Sequence, residues 1–232
     1  MTTNRYSFVI ILTYARSGST LVQSILNSIP GYQIRGENLN ALFHIYKCVE
    51  AVRIARNIHG WQPTMPDTPW FGADRLTPKL FKERMIATFV EGVLKPSGGA
   101  TTIGFKEIRH TPFFMSDEEF SDYAQFILDE FPRSKIIVNS RYANEVANSA
   151  WLADRDSEAV KREVEICDQR FSRLAQSSSA VYHLRYNDYV RNHSLIKGLF
   201  HFLDAPYNAA ELEKIFAKPL NHARSDQTEN EQ

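Results

Sequence analysis

Cysteine is scarce in this chain: only Cys48 and Cys167 occur among 232 residues. Two cysteines this far apart form neither a metal-ligand pattern nor a disulfide framework, so the composition favours a reducing compartment. Long apolar runs are missing as well. The run "FVIILTY" near the N-terminus is too short to cross a bilayer, and no basic start or cleavage site of a signal peptide accompanies it. We therefore expect a cytoplasmic protein without a transmembrane segment.

Net charge is also absent, because 27 basic residues balance 27 acidic ones. A chain without excess positive charge lacks the overall electrostatic field that attracts nucleic acid, so we expect no nucleic-acid partner. A local basic pocket is still possible. The length fits one large domain or at most two small ones, and we place a single domain at residues 1–220. The remaining polar residues, 221–232, are expected to form a partly disordered tail.

Periodicity along the chain indicates alternating strands and helices. Four apolar segments are typical of buried strands: 6–13, 101–108, 134–141 and 180–186. Helical spacing is found between and after them, mainly at 18–28, 38–58, 78–94, 117–131, 142–152, 155–177, 192–203 and 208–217. Strands separated by helices predict an α/β fold with a mainly parallel central sheet flanked by helices.

A polar loop follows the first predicted strand and leads into the first predicted helix. Unpaired N–H groups and a partial positive charge at a helix N-terminus suit an anion, and a glycine allows close approach of the backbone. The segment supplies one positive charge, one glycine and three hydroxyls: Arg16, Ser17, Gly18, Ser19 and Thr20. It lacks the lysine and the second glycine of the Walker A pattern, which weakens a kinase interpretation. A plain turn remains the alternative.

A second polar segment leaves the third predicted strand at Arg141 and reaches Ser149 eight residues later. If residues 142–152 are helical, Ser149 lies about two turns along that helix. Arg141 would stand at the carboxyl edge of the sheet, where open α/β folds bind ligands. An arginine and a hydroxyl meeting there could hold a second phosphate, although a strand-end arginine is more often solvated or salt-bridged.

These segments, in this order, resemble those of PAPS-dependent sulfotransferases. "RSGSTL" (16–21) is similar to the loop that binds the 5′-phosphosulfate, and "SKIIVNSRYANEVANS" (134–149) to the segment that binds the 3′-phosphate. The eight-residue spacing from arginine to serine is kept, while Tyr142 and Ala143 replace the common Asp-Pro. "VYHLRYNDYV" resembles a late strand of the family.

The resemblance implies a three-layer P-loop-like fold and an enzyme that moves a sulfuryl group from PAPS to a hydroxyl, releasing 3′,5′-ADP without a metal. The acceptor would be a carbohydrate or a related small metabolite. The residues implied to bind PAPS are Arg16, Ser17, Gly18, Ser19, Thr20, Leu21, Arg141 and Ser149. Two other readings stay open, namely a P-loop nucleotide kinase and a nucleotide-binding module without catalysis.

The resemblance also implies the reacting residues. It points to Glu37 as the general base, while the sequence alone equally allows a glutamate that stabilises the start of a helix. Lys106 and Arg16 would neutralise charge on the transferring group, although Lys106 could instead be a solvated strand-end lysine. Glu107 is a second candidate base, and more plausibly the structural partner of an arginine. His110 is a further alternative, since cytosolic sulfotransferases use histidine.

Two further features have no settled role. Arg185 and Tyr186 lie near the end of the last predicted strand, and we expect them to brace the site rather than react. The loop "GWQPTMPDTPWFG" (60–72) contains Trp61, Trp70 and Phe71. It could stack on a sugar or cover the acceptor, or simply pack on the core.

Overall fold

The computed structural model of the protein describes residues 5–218. Within them, five strands form one sheet in which each neighbouring pair is parallel. The order across the sheet is β2-β3-β1-β4-β5. The strands are β1 (Ser7–Leu12), β2 (Tyr32–Arg35), β3 (Thr102–Glu107), β4 (Ser134–Ser140) and β5 (Val181–Arg185).

Helices connect the strands and cover the sheet. The α-helices of the described part are α1 (Ser19–Asn27), α2 (Ala41–His59), α3 (Pro78–Phe89), α4 (Asp117–Glu130), α5 (Ala143–Ala147), α6 (Ser157–Ser177), α7 (Tyr186–Arg191), α8 (Lys197–Leu203) and α9 (Ala209–Ala217). Short 3₁₀ segments lie at Ala73–Arg75, Ala150–Asp154 and His193–Ile196, and a π-helical turn at Val90–Leu94 follows α3.

Strand β1 shows why the protein has three layers. Successive side chains of a strand point to opposite faces, so a strand buried on both sides is apolar throughout. Phe8, Ile10 and Leu12 join one buried cluster with residues of α2, α3, α4 and α6. Val9 and Ile11 join the other, with residues of α1, α8 and α9. The sheet therefore lies between two helical layers, as the sequence predicted.

Most predicted elements are confirmed, some with different bounds. The four predicted strands are present, and α4 begins with the predicted capping box: the Glu119 N–H donates to Ser116 Oγ at 3.1 Å, and the Ser116 N–H donates to Glu119 Oε2 at 2.9 Å. Strand β2 was not predicted. It is a four-residue edge strand that contains Gln33 and Arg35, and its pairing with β3 is not visible in local sequence.

Two helix predictions need correction. A continuous helix at 142–152 is wrong, because α5 ends at Ala147 and a separate 3₁₀ turn follows. Asn148 and Ser149, at the break, are weak helix formers whose side chains compete for backbone hydrogen bonds. The predicted helix at 192–203 is a 3₁₀ turn followed by α8. The expected tail at 221–232 lies outside the described residues.

Between residues 5 and 218, no helix is both long enough and apolar enough to span a bilayer. In the same range, no group of three or more His, Cys, Asp and Glu side chains could hold a metal ion.

Candidate active site

The predicted site residues meet at one edge of the sheet. Arg16 follows β1, Arg141 follows β4, and Lys106 is the penultimate residue of β3. Because parallel strands end on the same side, the loops after β1, β3 and β4 form one surface. We call Thr13–Ser19 together with Arg141 and Ser149 the donor side, and Glu37, Lys106 and Arg109 the acceptor side.

The loop after β1 has a backbone shaped for close approach. Arg16 (φ 62°) and Gly18 (φ 85°) both adopt the left-handed conformation that bulky residues disfavour. A Cβ on Gly18 would lie 2.1 Å from Cδ2 of Tyr186, so any other residue there would have to displace the Tyr186 ring. Helix α1 begins at the next residue and directs its first N–H groups to the loop.

Side chains inside the loop hold this shape. Thr13 Oγ1 lies 2.6 Å from the carbonyl oxygen of Asn139 and 2.8 Å from Ser17 Oγ. Since the carbonyl can only accept, the Thr13 hydroxyl donates to it and the Ser17 hydroxyl donates to Thr13. Asn139 Nδ2 donates in turn to the Ser17 carbonyl at 2.8 Å. The buried Ser17 side chain therefore stabilises the loop from below.

The remaining residues of the predicted loop are buried or half-buried. Ser19 is buried and Thr20 half-buried at the first turn of α1. Leu21 packs in the core beneath α1, and only its backbone N–H, which donates to the Gly18 carbonyl at 3.0 Å, belongs to the turn.

The two predicted anion-binding segments are in direct contact. Arg16 Nε donates to Ser149 Oγ at 3.0 Å, and Arg141 Nη1 donates to the Arg16 carbonyl at 3.2 Å. Ser149 reaches this position from the extended stretch after α5, and not from within a helix as predicted. Three residues separated by up to 133 positions thus form one polar surface.

Several supporting residues on the donor side were not identified from the sequence. Arg141 Nε pairs with Glu145 Oε2 at 2.9 Å, and Asn187 Nδ2 donates to the other oxygen of that carboxylate at 2.8 Å. The Arg141 guanidinium stacks on the ring of Tyr186 at 4.6 Å, which agrees with the expected bracing role of Tyr186. Tyr14 accepts a hydrogen bond from the Arg141 N–H at 2.8 Å. In the sequence, only their positions shortly after predicted strands could have identified these residues.

Glu37 lies between two cations on the acceptor side. Its Oε1 is 2.5 Å from Lys106 Nζ, and its Oε2 is 3.6 Å from Arg109 Nη1. Lys106 is 5% exposed and is therefore not a solvated strand-end lysine. The Glu37 side chain remains 36% exposed, so one face of the carboxylate is open to a ligand.

The Glu107 carboxylate has a different environment from that of Glu37. Its carboxylate is fully buried and accepts from the N–H groups of Asn38, Asn40 and Ile108 and from Arg109 Nη1, at 2.8–3.1 Å. Burial acts to raise the pKa of Glu107, but these hydrogen bonds outweigh it and lower the pKa. The group is the structural partner of an arginine, as expected, and it fixes the turn that presents Glu37.

His110 faces the protein interior. It is 0% exposed, its Nδ1 lies 2.9 Å from the Thr13 carbonyl oxygen, and its Nε2 has no partner among the described residues. Burial lowers the pKa of His110 to about 4. A histidine sealed in the core cannot contact an acceptor hydroxyl, so the geometry favours Glu37 over His110.

A cavity of about 480 Å³ opens beside the acceptor side. Its described walls come from the loop after β1, the segment after β3, the end of α5, the turn at 150–154 and α6. The aromatic loop at 60–72 is not among them, and instead Trp70 stacks on His59 of α2 at 3.7 Å.

A sequence model of the sulfotransferase family matches residues 9–209. No curated protein matches the sequence. Among solved structures, a sulfotransferase domain from the curacin biosynthetic pathway is similar, with 14% identity, a TM-score of 0.47, and coverage of 92% of this chain and 79% of that one. The sulfotransferase STF9 from Mycobacterium avium has 14% identity and a TM-score of 0.44, with 92% and 67% covered. The family match includes both the donor side and Glu37.

Proposed function

The chain belongs to the sulfotransferase family, and we propose that it transfers a sulfuryl group from PAPS to a hydroxyl of a small-molecule acceptor. The proposal includes Glu37 as general base and a reaction that needs no metal ion.

The contact between the two anion-binding segments carries this proposal. PAPS bears a 5′-phosphosulfate and a 3′-phosphate, so it requires two sets of donors that are close in space. The Arg16–Ser149 hydrogen bond of 3.0 Å joins one segment to the other. The glycine backbone and the N-terminus of α1 fit the phosphosulfate, while Arg141 and Ser149 fit the 3′-phosphate.

The acceptor side supplies the groups that the reaction requires. The acceptor oxygen forms a bond to sulfur while the bond from sulfur to the bridging oxygen breaks, which gives a sulfate ester and 3′,5′-ADP. The Glu37 carboxylate takes the hydroxyl proton. The ammonium of Lys106 and the guanidinium of Arg16 offset negative charge on the transferring group and the leaving phosphate. Their placement at the same sheet edge supports these roles.

A comparison of nucleotides tests the donor. Thermal shifts should be much larger with 3′,5′-ADP than with 5′-AMP or ATP, and 3′,5′-ADP at a hundredfold excess over its dissociation constant should stabilise the folded protein by about 3 kcal/mol. Equal shifts with 5′-AMP would contradict a 3′-phosphate site.

Incubation with PAPS and a panel of alcohols, glycans and phenols, followed by mass detection of sulfate gain, tests the reaction. EDTA should leave turnover nearly unchanged. Loss of turnover that Mg²⁺ restores would favour phosphoryl transfer instead. Binding of 3′,5′-ADP without turnover on any acceptor would indicate a binding module.

A further inference from the structure

We propose that the acceptor is an alcohol or phenol with an apolar body, bound in the cavity beside Glu37, and not a bare carbohydrate. This inference rests on the proposed function and narrows its substrate class.

The walls of the cavity are mainly hydrocarbon. They include Ile108 and Phe114 from the segment after β3, Val146 from α5, Leu152, and Val160 and Val164 from α6. Val146, Leu152, Val160 and Val164 are each at most 4% exposed, so they form a buried apolar floor. An apolar ligand gains free energy in proportion to the area it buries against such walls.

Among the described residues, four of the five polar side chains that line the cavity are already paired, and Thr111 is the exception. The Tyr14 hydroxyl lies 3.0 Å from both Asp168 Oδ1 and the Arg141 carbonyl oxygen. Arg155 Nη2 is 2.7 Å from Glu163 Oε1, which neutralises both charges. A sugar carries a hydroxyl on nearly every carbon, and most of these would lose water here without a replacement partner. A ligand with one hydroxyl and a hydrocarbon body meets no such penalty.

The cavity leads to the reacting groups. Arg109 lines it, and Arg109 Nη1 is 3.6 Å from Glu37 Oε2. Ala15, which also lines it, immediately precedes Arg16. A ligand body held among the apolar walls therefore has one end beside the base and the donor loop. At the rim, Phe113 is 80% exposed and packs edge-to-face against Phe114 at 5.0 Å, which gives an apolar entrance.

The test measures acceptor binding in the presence of 3′,5′-ADP, by ligand-detected NMR or calorimetry, so that it does not depend on turnover. The probes are 2-naphthol and 1-octanol against glucose and N-acetylglucosamine, with methyl and octyl glucoside as a pair that shares one sugar. We expect the apolar alcohols to bind at least about tenfold more tightly than glucose, and octyl glucoside more tightly than methyl glucoside.

Two variants locate the binding. Thr111→Phe fills the cavity from its half-buried wall, and Phe114→Asp places a charge in it. Each should weaken binding of 2-naphthol by about tenfold or more while the thermal shift with 3′,5′-ADP is retained. Thr88→Phe, at an exposed position of α3, is the matched control and should change neither.

The outcomes separate the two proposals. Glucose binding as tightly as 2-naphthol, or naphthol binding that survives both cavity variants, would overturn the apolar acceptor. If the apolar preference and its loss in the variants hold but PAPS transfers sulfate to none of the probes, the binding inference stands and the proposed reaction fails.

Discussion

The donor side and the acceptor side stand at the same sheet edge but are assembled in different ways. The donor side is built largely from two contiguous segments whose backbone and short polar side chains contact each other, as in the Arg16–Ser149 hydrogen bond. The acceptor side brings together groups from separate elements, such as Glu37 and Lys106, which are 69 residues apart. A contiguous motif can be recognised in a sequence, whereas contacts between side chains that are far apart in the chain are seen only in the fold.

The carboxylates of Glu37 and Glu107 repeat this contrast on a smaller scale. Glu107 is fully buried and accepts four N–H groups, so it has little capacity left for a ligand. Glu37 is 36% exposed and contacts two cations by single oxygens. The buried carboxylate organises the turn, and the exposed one is available to react. Their positions, and not their residue type, make this difference.

The largest expected effect comes from Glu37→Gln. The amide keeps the shape but cannot take a proton, so turnover of PAPS should fall by about a hundred- to ten-thousandfold. The affinity for 3′,5′-ADP should stay within a few-fold, because the donor side does not include Glu37. Steady-state kinetics and nucleotide thermal shifts on the same preparation measure both.

Matched variants show whether the loss belongs to Glu37. Glu118→Gln, at an exposed position of α4, should retain full turnover. Glu107→Gln should lower the unfolding temperature, since it weakens a buried carboxylate network, and lose less turnover per folded molecule. Near-normal turnover of Glu37→Gln, with a collapse in Glu107→Gln or His110→Ala, would move the base to the segment after β3.

The next effect concerns Arg141→Ala. A charged hydrogen bond to a phosphate contributes about 1.5–3 kcal/mol, so affinity for 3′,5′-ADP should fall by about 10- to 150-fold. Binding of 5′-AMP should change little, and the preference between the two nucleotides should disappear. Calorimetry with both nucleotides measures this. Arg84→Ala, an exposed arginine on α3, is the charge control. An unchanged preference would remove Arg141 from the donor side.

The sequence predicted the fold where burial is strong. Strands β1 and β4 are apolar on both faces, and that pattern is visible without a partner. Strand β2 is short, half polar and paired on one side only, so its identity depends on β3, which follows 67 residues later. The prediction of a continuous helix at 142–152 was wrong because Ser149 is held in an extended conformation beside Arg16. A tertiary contact of this kind cannot be read from the neighbouring sequence.

The sequence identified some residues of the site but not others. Arg16, Gly18, Arg141 and Ser149 could be placed because they lie in two contiguous segments that follow strands, in a spacing typical of a known family. Tyr14, Glu145 and Asn187, which orient Arg141, could not, since their contacts join three separate elements. The cavity is likewise visible only once α5 and α6 are packed against the segment after β3.

A smaller effect is expected from Gly18→Ala. Its φ of 85° costs an L-residue about 1–2 kcal/mol, and the contact with Tyr186 adds to this. Gly72 has a φ of 88° with no atom within 4 Å of an added Cβ, so Gly72→Ala incurs the backbone cost alone. Urea unfolding should show the larger loss for Gly18→Ala. Equal losses would mean that Tyr186 yields readily and does not constrain the donor loop.

The smallest effect concerns Asp168, whose partner Tyr14 belongs to the donor side, accepts from the Arg141 N–H and also lines the cavity. Burial raises the pKa of Asp168 from 3.8 to about 6. The hydrogen bond from Tyr14 and the charge of Arg185 act in the opposite direction but are weaker. An acid whose pKa is raised on folding stabilises the protein below the unfolded pKa, and this stability is lost as pH rises through the folded value. The wild type should therefore lose stability between about pH 4 and pH 6 relative to Asp168→Asn. Because the group is partly exposed, we expect a difference of about 1 kcal/mol. Urea unfolding at pH 4, 5, 6 and 7 measures it, and a constant difference across this range would show that folding does not raise the pKa of Asp168.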